Sequence, residues 1–380
     1  MVNDERIGRV RNAQSVDVLI AISSLQFGGA ETQALLWAKN LKRQGLSVFV
    51  VSVLPGSLKI TLEKESIPYR ILVSRPKGRF MKLFAFIKSL LLLNNLISKK
   101  KPRKLITFLY IESLQASILK LISRSDFQLF MGRRADFGYG ERGKLQNWIL
   151  RFGYQKAEHV FTNSNTNLES AFKEGVDKSK VTLIENYLRP DLGKVKKMST
   201  NVDEVARVIK CMTVGSLSPV KNHSMAVSMV NDLEKVQGAV KVRLDIYGEG
   251  ELRAELEKQI GGSKAISLLG NRANPWLQVE MYDFYLHTSQ SEGSSNALWE
   301  AAACGLPIVT TQVGDYVELQ KLTHGSFFIA NNREEFMDVF KKLVSDLEHV
   351  KSMAQENAFS VRAARSDEKI TKKIVRMLGI

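Results

Sequence analysis

Two short segments of this 380-residue chain carry residues able to do chemistry at a useful spacing. The denser runs Ser291-Glu292-Gly293-Ser294-Ser295-Asn296-Ala297-Leu298-Trp299-Glu300, then Ala301-Ala302-Ala303-Cys304-Gly305-Leu306-Pro307-Ile308-Val309. A strand is expected to end near His287 and a helix to start near Asn296, with a Gly/Ser turn between them. Backbone N–H groups over Ser295–Ala297 then lack intrahelical partners and can hold a phosphate. Glu292 sits in the turn, and Glu300, one turn into the helix, can accept hydrogen bonds from vicinal sugar hydroxyls. Gly305-Leu306-Pro307 ends that helix. The second segment is Phe27-Gly28-Gly29-Ala30-Glu31, between a strand and a helix. Paired glycines let a ligand approach the backbone, and the helix start favours anions. The segment is not GxGxxG, and no acidic residue ends the second strand, which argues against a nicotinamide dehydrogenase.

Other chemistry is poorly represented. His159, His223, His287, His324 and His349 show no metal-ligand spacing, and there is no DxD, so no metal is expected. His287, at a strand end, reads as structural. Cys211 and Cys304 are far apart in apolar runs. They imply a reducing compartment rather than a disulfide framework, and Cys304 reads as small core filling.

These segments need loops that directly follow strands, and the chain supplies them. β-branched runs at 16–22, 47–53, 69–72, 105–108, 128–131, 160–163 and 181–184 alternate with helical patterns at 30–44, 82–98 and 165–173. A second series has strands at 208–214, 242–246, 266–269, 284–287, 308–310 and 327–329, separated by helices at 223–233, 251–259, 296–304 and 333–347. Such alternation means parallel sheets covered by helices. The expected organisation is an N-terminal domain over 1–190, a linker over 191–204, a C-terminal domain over 205–360, and a helix over 361–380 that packs back on the first domain. Ligands of doubly wound sheets bind beyond the carboxyl ends of the strands, so the default site is a central cleft between the two domains.

Composition agrees with a soluble globular protein: 44% hydrophobic and 25% charged. Residues 1–200 carry a balance of +18 and residues 201–380 one of −2, within a net +16. Arg75–Lys104 holds ten basic residues and no acidic one. This asymmetry points to an anionic surface: a membrane, nucleic acid or an acidic polymer. The segment brackets Leu83, Phe86, Ile87, Leu90, Leu91 and Ile97 at helical spacing, as a cationic amphipathic helix would. Leu83–Ile97 is broken by Lys88, Asn94 and Asn95 and reads as too short to span a bilayer, which needs ~20 residues. The N-terminus does not read as a signal peptide. Nucleic-acid binding is not expected, because aromatic and basic residues do not interleave. The protein reads as cytosolic or bound to the inner face of a membrane.

The glutamate segment resembles the EGxxxxxxEAxAxGxPVV signature of the retaining family-4 glycosyltransferases with a GT-B fold, of the bacterial surface-polysaccharide type. The resemblance extends to Thr162-Asn163-Ser164, Ile184-Glu185-Asn186, Val214-Gly215 with Lys221-Asn222, Tyr247-Gly248-Glu249-Gly250 and Leu269-Gly270. It implies an α/β GT-B fold of two doubly wound Rossmann-like domains. It also implies transfer of a sugar from a nucleotide-sugar, often UDP-linked, with retention of anomeric configuration. The acceptor would be a membrane-linked or anionic glycan, such as a lipid-linked oligosaccharide or lipopolysaccharide core. No cofactor and no metal are implied. Catalysis would rest on Lys221, neutralising the diphosphate, and Glu292, approaching the sugar hydroxyls. Gly28 and Gly29 would abut the donor; Gly293, Ser294, Ser295, Asn296 and Ala297 would offer backbone to sugar and phosphate. Glu300 would bind ribose, and Gly270 and Arg272 would sit at the level of the base.

The chain departs from that pattern twice. Ser216 stands where the family usually has a phosphate-binding arginine, leaving Arg133, Arg134 or Arg272 to substitute. The loop after the fourth strand, Thr107–Ser113, lacks the family histidine, leaving Tyr110 or Glu112 to contribute. Tyr110, Glu112, Arg133 and Arg134 are therefore the acceptor-side candidates. Two alternatives stay open: a GT-B sugar-nucleotide epimerase, and a non-catalytic relative that only binds nucleotide-sugar.

Overall fold

The structure is a computed structural model that describes residues 15–122, 126–134, 143–192, 208–235, 241–272 and 274–380. It divides into two compact units. The first comprises 1–162, 171–182 and 375–380; the second comprises 163–170 and 183–374.

The first unit is built on a seven-stranded sheet of order β3-β2-β1-β4-β5-β6-β7. Its strands are β1 (Val18–Ser24), β2 (Val48–Leu54), β3 (Tyr69–Ile71), β4 (Lys104–Thr107), β5 (Gln128–Arg133), β6 (His159–Thr162) and β7 (Val181–Leu183). Neighbours from β3 through β6 pair in parallel. The helices are α1 (Gly29–Arg43), α2 (Lys59–Lys64), α3 (Arg79–Lys100), α4 (Tyr110–Ile122), α5 (Lys144–Lys156) and α6 (Asn165–Lys173), which straddles the division. Strands covered on both faces need near-continuous apolar runs, and β1 and β2 supply them: five consecutive residues of each are buried. Leu19, Ala21, Phe49, Leu105 and Leu129 face one core with Leu93, Leu96 and Ile97 of α3. Trp37, Phe108 and Phe161 interlock in a separate aromatic cluster.

The second unit has a six-stranded sheet of order β10-β9-β8-β11-β12-β13, parallel throughout. Its strands are β8 (Val208–Val214), β9 (Lys241–Tyr247), β10 (Ile266–Gly270), β11 (Phe284–His287), β12 (Ile308–Thr310) and β13 (Phe327–Ile329). Its helices are α7 (His223–Lys235), α8 (Arg253–Ile260), α9 (Asn296–Ala303), α10 (Tyr316–Leu322), α11 (Arg333–Ser345), α12 (Leu347–Ala364) and most of α13 (Asp367–Leu378). The two-residue period of a strand sends Cys211, Leu244, Phe284 and Leu286 to one core and Met212, Tyr247 and Tyr285 to the other. Cys304 is buried in the second of these cores. Each such large apolar side chain contributes roughly 1.5–3 kcal/mol on full burial.

Three expectations are adjusted. Residues 193–204 of the expected linker lie outside the described residues, and the compact units divide near 182–183. The expected boundary at 360 falls inside α12; the helix ends where Arg365 turns inward, and α13 follows. Finally, α3 is longer than its apolar centre suggested. Phe80–Lys100 is long and apolar enough to cross a membrane by length and composition.

Candidate active site

In a doubly wound sheet, the crevice forms where the strand order reverses. In the second unit this is between β8 and β11. Chain leaving β8 carries Gly215, Ser216 and Lys221; chain leaving β11 carries Thr288, Ser289 and Glu292. The two loops are stitched together by Gln290 N–H to Val220 O (2.8 Å) and Thr288 Oγ1–H to Lys221 O (3.2 Å). Lys221 and Glu292 meet there as an ion pair. Ser289 Oγ donates to Glu292 Oε1 at 2.9 Å. His287 Nε2 lies 3.5 Å from the same oxygen.

The electrostatics follow from this packing. Burial by itself would raise the Glu292 pKa, but the Lys221 ammonium and His287 overcome it and hold the carboxylate down at about 2. Burial lowers the pKa of His287, so its ring is neutral beside an ionised Glu292. His223, at the start of α7, is pushed down to about 4, by burial first and then by Lys221. Lys221 is therefore the cation among these four groups.

Glycine builds the β8 loop. A Cβ on Gly248 (φ +152) would lie 1.8 Å from the Gly215 carbonyl oxygen, and one on Gly250 would lie 2.3 Å from that of Leu217. Gly215 and Leu217 donate their N–H groups to Tyr247 O and Glu249 O, so backbone packs on backbone. Ser216 is left exposed, its Oγ 3.1 Å from Ser218 Oγ.

Helix α9 faces the same crevice with its N-terminus. Ser295 is its buried N-cap and makes no side-chain cap bond. The turn before it is anchored by Ser294 Oγ donating to Asp315 Oδ2 (2.7 Å), while Asn296 Oδ1 accepts from Asn186 Nδ2 (2.6 Å). Gly314 (φ +64) packs 3.3 Å from Glu292 Cβ, measured from its own added Cβ. Asp315 also accepts from Trp299 Nε1 and Arg365 Nη2, both at 2.7 Å, and Arg365 stacks on the Trp299 ring. One turn into α9, Glu300 accepts from the indole N–H of Trp276 at 2.6 Å. Burial lifts its pKa to about 7, against the pull of Arg189 and the Trp276 bond.

The structure thus brings Lys221 to Glu292 ahead of the turn Gly293–Ala297, with Glu300 one turn into α9. Gly270 has φ +69 at the end of β10, on the sheet edge two strands from β8, and Arg272 beyond it is exposed. His287, the histidine best placed by sequence because it closes a strand just before the glutamate segment, reads there as structural, and the structure sets it beside Glu292. The position alone was the signal: a polar residue closing a fully buried strand.

The first unit repeats the arrangement at its own reversal, between β1 and β4. Glu112, in the first turn of α4, accepts from Ser23 Oγ at 2.5 Å and from Leu109 N–H at 2.7 Å. It ties the end of β1 to the loop after β4. Burial raises its pKa to about 7, opposed by these bonds and assisted by Glu31. Burial likewise raises Glu31, which Ser24 Oγ approaches at 3.4 Å. Gly28 is the N-cap of α1, and a Cβ on it would fall 2.3 Å from Glu31 Oε2, so glycine makes room for that carboxylate. Gly29 opens α1, and Tyr110 is half-buried against the core.

The acceptor-side candidates Arg133 and Arg134 are both buried. Arg133 is buried and paired with Glu174 at 3.0 Å, and Glu174 also accepts from Tyr154 Oη. Arg134 is buried with its guanidinium 5.0 Å from the Phe108 ring centre. A buried guanidinium needs a partner, and for Arg133 the interior provides Glu174. Among the described residues no three His, Cys, Asp or Glu side chains are grouped to hold a metal ion.

Residues 209–346 match the family described as glycosyl transferases group 1. A Campylobacter jejuni protein named N-acetylgalactosamine-N,N'-diacetylbacillosaminyl-diphospho-undecaprenol 4-alpha-N-acetylgalactosaminyltransferase is 27% identical over 172 residues, 44% of this chain and 45% of that protein. The chain spans about half the length of the curated relatives it matches. Among solved structures, HepE of Anabaena in complex with UDP-glucose superposes with a TM-score of 0.79 at 18% identity, over 96% of this chain and 99% of that one. WaaG, a glycosyltransferase involved in lipopolysaccharide biosynthesis, superposes with a TM-score of 0.69 at 15% identity, over 95% and 99%. The fold class is therefore that of these GT-B glycosyltransferases, and the segment that matches the group 1 family lies within the second unit.

Proposed function

We propose that the chain is a retaining glycosyltransferase that moves a sugar from a nucleotide-sugar, a UDP-sugar, to a glycan or lipid-linked acceptor. The observation that carries this reading is the Lys221–Glu292 pair at the β8/β11 reversal, just before the α9 N-terminus, with Glu300 one turn into that helix. A nucleotide-sugar presents the complementary groups in order: sugar hydroxyls for Glu292, a diphosphate for Lys221 and the α9 N–H groups, and ribose hydroxyls for Glu300. When the glycosidic bond breaks, negative charge grows on the departing diphosphate. A fixed ammonium and an oriented helix terminus stabilise that charge more than they stabilise bound donor, which is the condition for lowering the barrier. The lysine and helix dipole then do the work a metal would do elsewhere, and the departing phosphate takes the acceptor's proton on the same face. That Anabaena HepE was crystallised with UDP-glucose supports the donor class, and the Campylobacter relative's diphospho-undecaprenol name supports a lipid-linked acceptor.

The test has two stages. A thermal-shift panel of UDP-, GDP-, ADP- and CMP-sugars is expected to show stabilisation by one base class. Anomeric configuration in the product formed with an undecaprenyl-diphosphate-linked acceptor is then read by NMR, and inversion refutes the retaining route. No stabilisation by any nucleotide-sugar refutes the donor site.

A further inference from the structure

Helix α3 turns an apolar stripe away from the protein. Phe80, Leu83, Phe84, Ile87 and Leu91 are 91%, 62%, 61%, 48% and 65% exposed. Their spacing puts all five on one side of the helix. The opposite side is committed to the first unit: Leu93, Leu96 and Ile97 lie in its core. Ser89 is fully buried, donating to Phe86 O at 2.9 Å and accepting from Gln115 Nε2 at 2.7 Å. A soluble protein rarely shows five large apolar side chains in a row on one helix face, so the stripe calls for an occupant.

The charges around it say which. Arg75, Lys77, Lys82, Lys88, Lys99 and Lys101 are exposed. Across Arg75–Lys104 there is no acidic residue to oppose them. A second copy of this chain would bring the same positive charge against itself. An anionic lipid surface offers both the apolar depth and the counter-charge.

We propose that α3 lies flat in the interface of an anionic membrane, with Phe80, Leu83, Phe84, Ile87 and Leu91 inserted among the acyl chains and the flanking lysines at the headgroups. A transmembrane path, which the helix's length and composition allow, would require Leu93, Leu96, Ile97 and the Ser89–Gln115 bond to be stripped from the core. Lying flat leaves all of them in place.

The experiment uses the full chain and vesicles of phosphatidylcholine with or without phosphatidylglycerol. Wild type is expected to sediment with the anionic vesicles and far less with the neutral ones. A Leu83→Ser/Phe84→Ser/Ile87→Ser variant is expected to lose about tenfold or more of that binding at low and at high salt, since insertion is not screened. A Lys82→Gln/Lys88→Gln/Lys99→Gln/Lys101→Gln variant is expected to lose the preference for anionic vesicles, and that loss should vanish at high salt because screening acts within ~8–10 Å. Unchanged thermal unfolding and nucleotide-sugar binding in both variants show that the fold and the donor site are untouched. In parallel, a fluorophore on Ile87→Cys in otherwise wild-type chain is expected to be quenched by shallow spin-labelled lipid. Equal binding to both vesicle types, binding indifferent to the Leu83/Phe84/Ile87 changes, no quenching at position 87, or self-association in solution that those changes abolish each overturns the proposal.

Discussion

Trp276 Nε1 donates to Glu300 Oε2 across 2.6 Å, between the segment Pro275–Met281 and the first turns of α9, with the indole wholly buried. The bond fixes the carboxylate proposed to receive ribose. Burial, working against this bond, lifts the carboxylate's pKa to about 7.

Ribose hydroxyls donate best to an ionised carboxylate, so nucleotide binding should draw Glu300 into its charged form. Affinity for UDP is expected to rise with pH through about 7, with proton release on binding. Titration calorimetry in buffers of different ionisation enthalpy reads both effects. Glu300→Gln should flatten the pH profile and weaken UDP by about 1–3 kcal/mol, the scale of a hydrogen bond to a charged group. Trp276→Phe, which keeps the ring and removes the donor, should shift the profile to higher pH. A Glu300→Gln protein with wild-type affinity at every pH removes Glu300 from the ribose site.

Lys221 is the cation facing Glu292 in the candidate site, with Ser216 beside it contributing none. Lys221→Ala is expected to lower kcat at saturating donor as well as donor affinity, because the charge it opposes grows as the diphosphate departs. Ser216→Arg combined with Lys221→Ala should recover part of kcat. If Lys221→Ala changes KM alone, the lysine binds donor and transition state equally.

Stability against pH has opposite signs at the two ends of the range. Glu112 and Glu300 have folded pKa values of about 7, above the ~4.3 of a free glutamate. The folded state holds their protons longer, so their contribution is fullest below ~4.3 and is lost as pH rises through about 7. Each is worth about 4 kcal/mol, as an order of magnitude, at 1.36 kcal/mol per pH unit. Glu292, held at about 2, contributes in the other direction: its stabilisation is present above ~4.3 and lost as pH falls through about 2. Urea unfolding should therefore show greater stability near pH 5 than near pH 8, then a fall below pH 4. The Glu112→Gln/Glu300→Gln pair should flatten the upper slope, and Glu292→Gln should reduce the acid limb.

Much of the fold is legible because its strands are continuous apolar runs that tolerate few other readings. Val208–Val214, Phe284–His287, Ile308–Thr310 and Phe327–Ile329 emerge with the bounds expected from sequence. The Glu292–Glu300 segment is legible because its spacing serves one helix start. What stays hidden depends on partners far along the chain. Arg133 reads as an acceptor-side candidate, and only Glu174, 41 residues away, shows it to be paired in the interior. Likewise, nothing local to α3 tells which of its apolar sides is covered; Gln115 and the core beneath it decide that. His287 hides for a related reason: an apolar strand absorbs its last residue into the core pattern, while the geometry turns it toward Glu292.

The Asp315–Arg365 pair is the clearest instance of such distant support, and it carries the last prediction. The two are 50 residues apart, buried, and bonded at 2.7 Å. Asp315 also holds Ser294 and Trp299, so it fixes both the turn before α9 and the helix itself. Arg365 adds a bond to Asn186 O at 3.1 Å and stacks over Trp299. Removing one charge strands the other away from water, a cost of about 3–5 kcal/mol. Arg365→Met is therefore expected to lower the unfolding free energy by that amount and to weaken nucleotide binding through the loosened turn, although Arg365 is given no contact with the donor in the proposed reading. Asp315→Asn/Arg365→Met, which removes both charges, should restore much of the stability while leaving donor affinity impaired, because an asparagine at 315 accepts from Ser294 and Trp299 less strongly than a carboxylate. Recovery of stability and affinity together would mean that the pair supports the fold and plays no part in shaping the phosphate-binding turn.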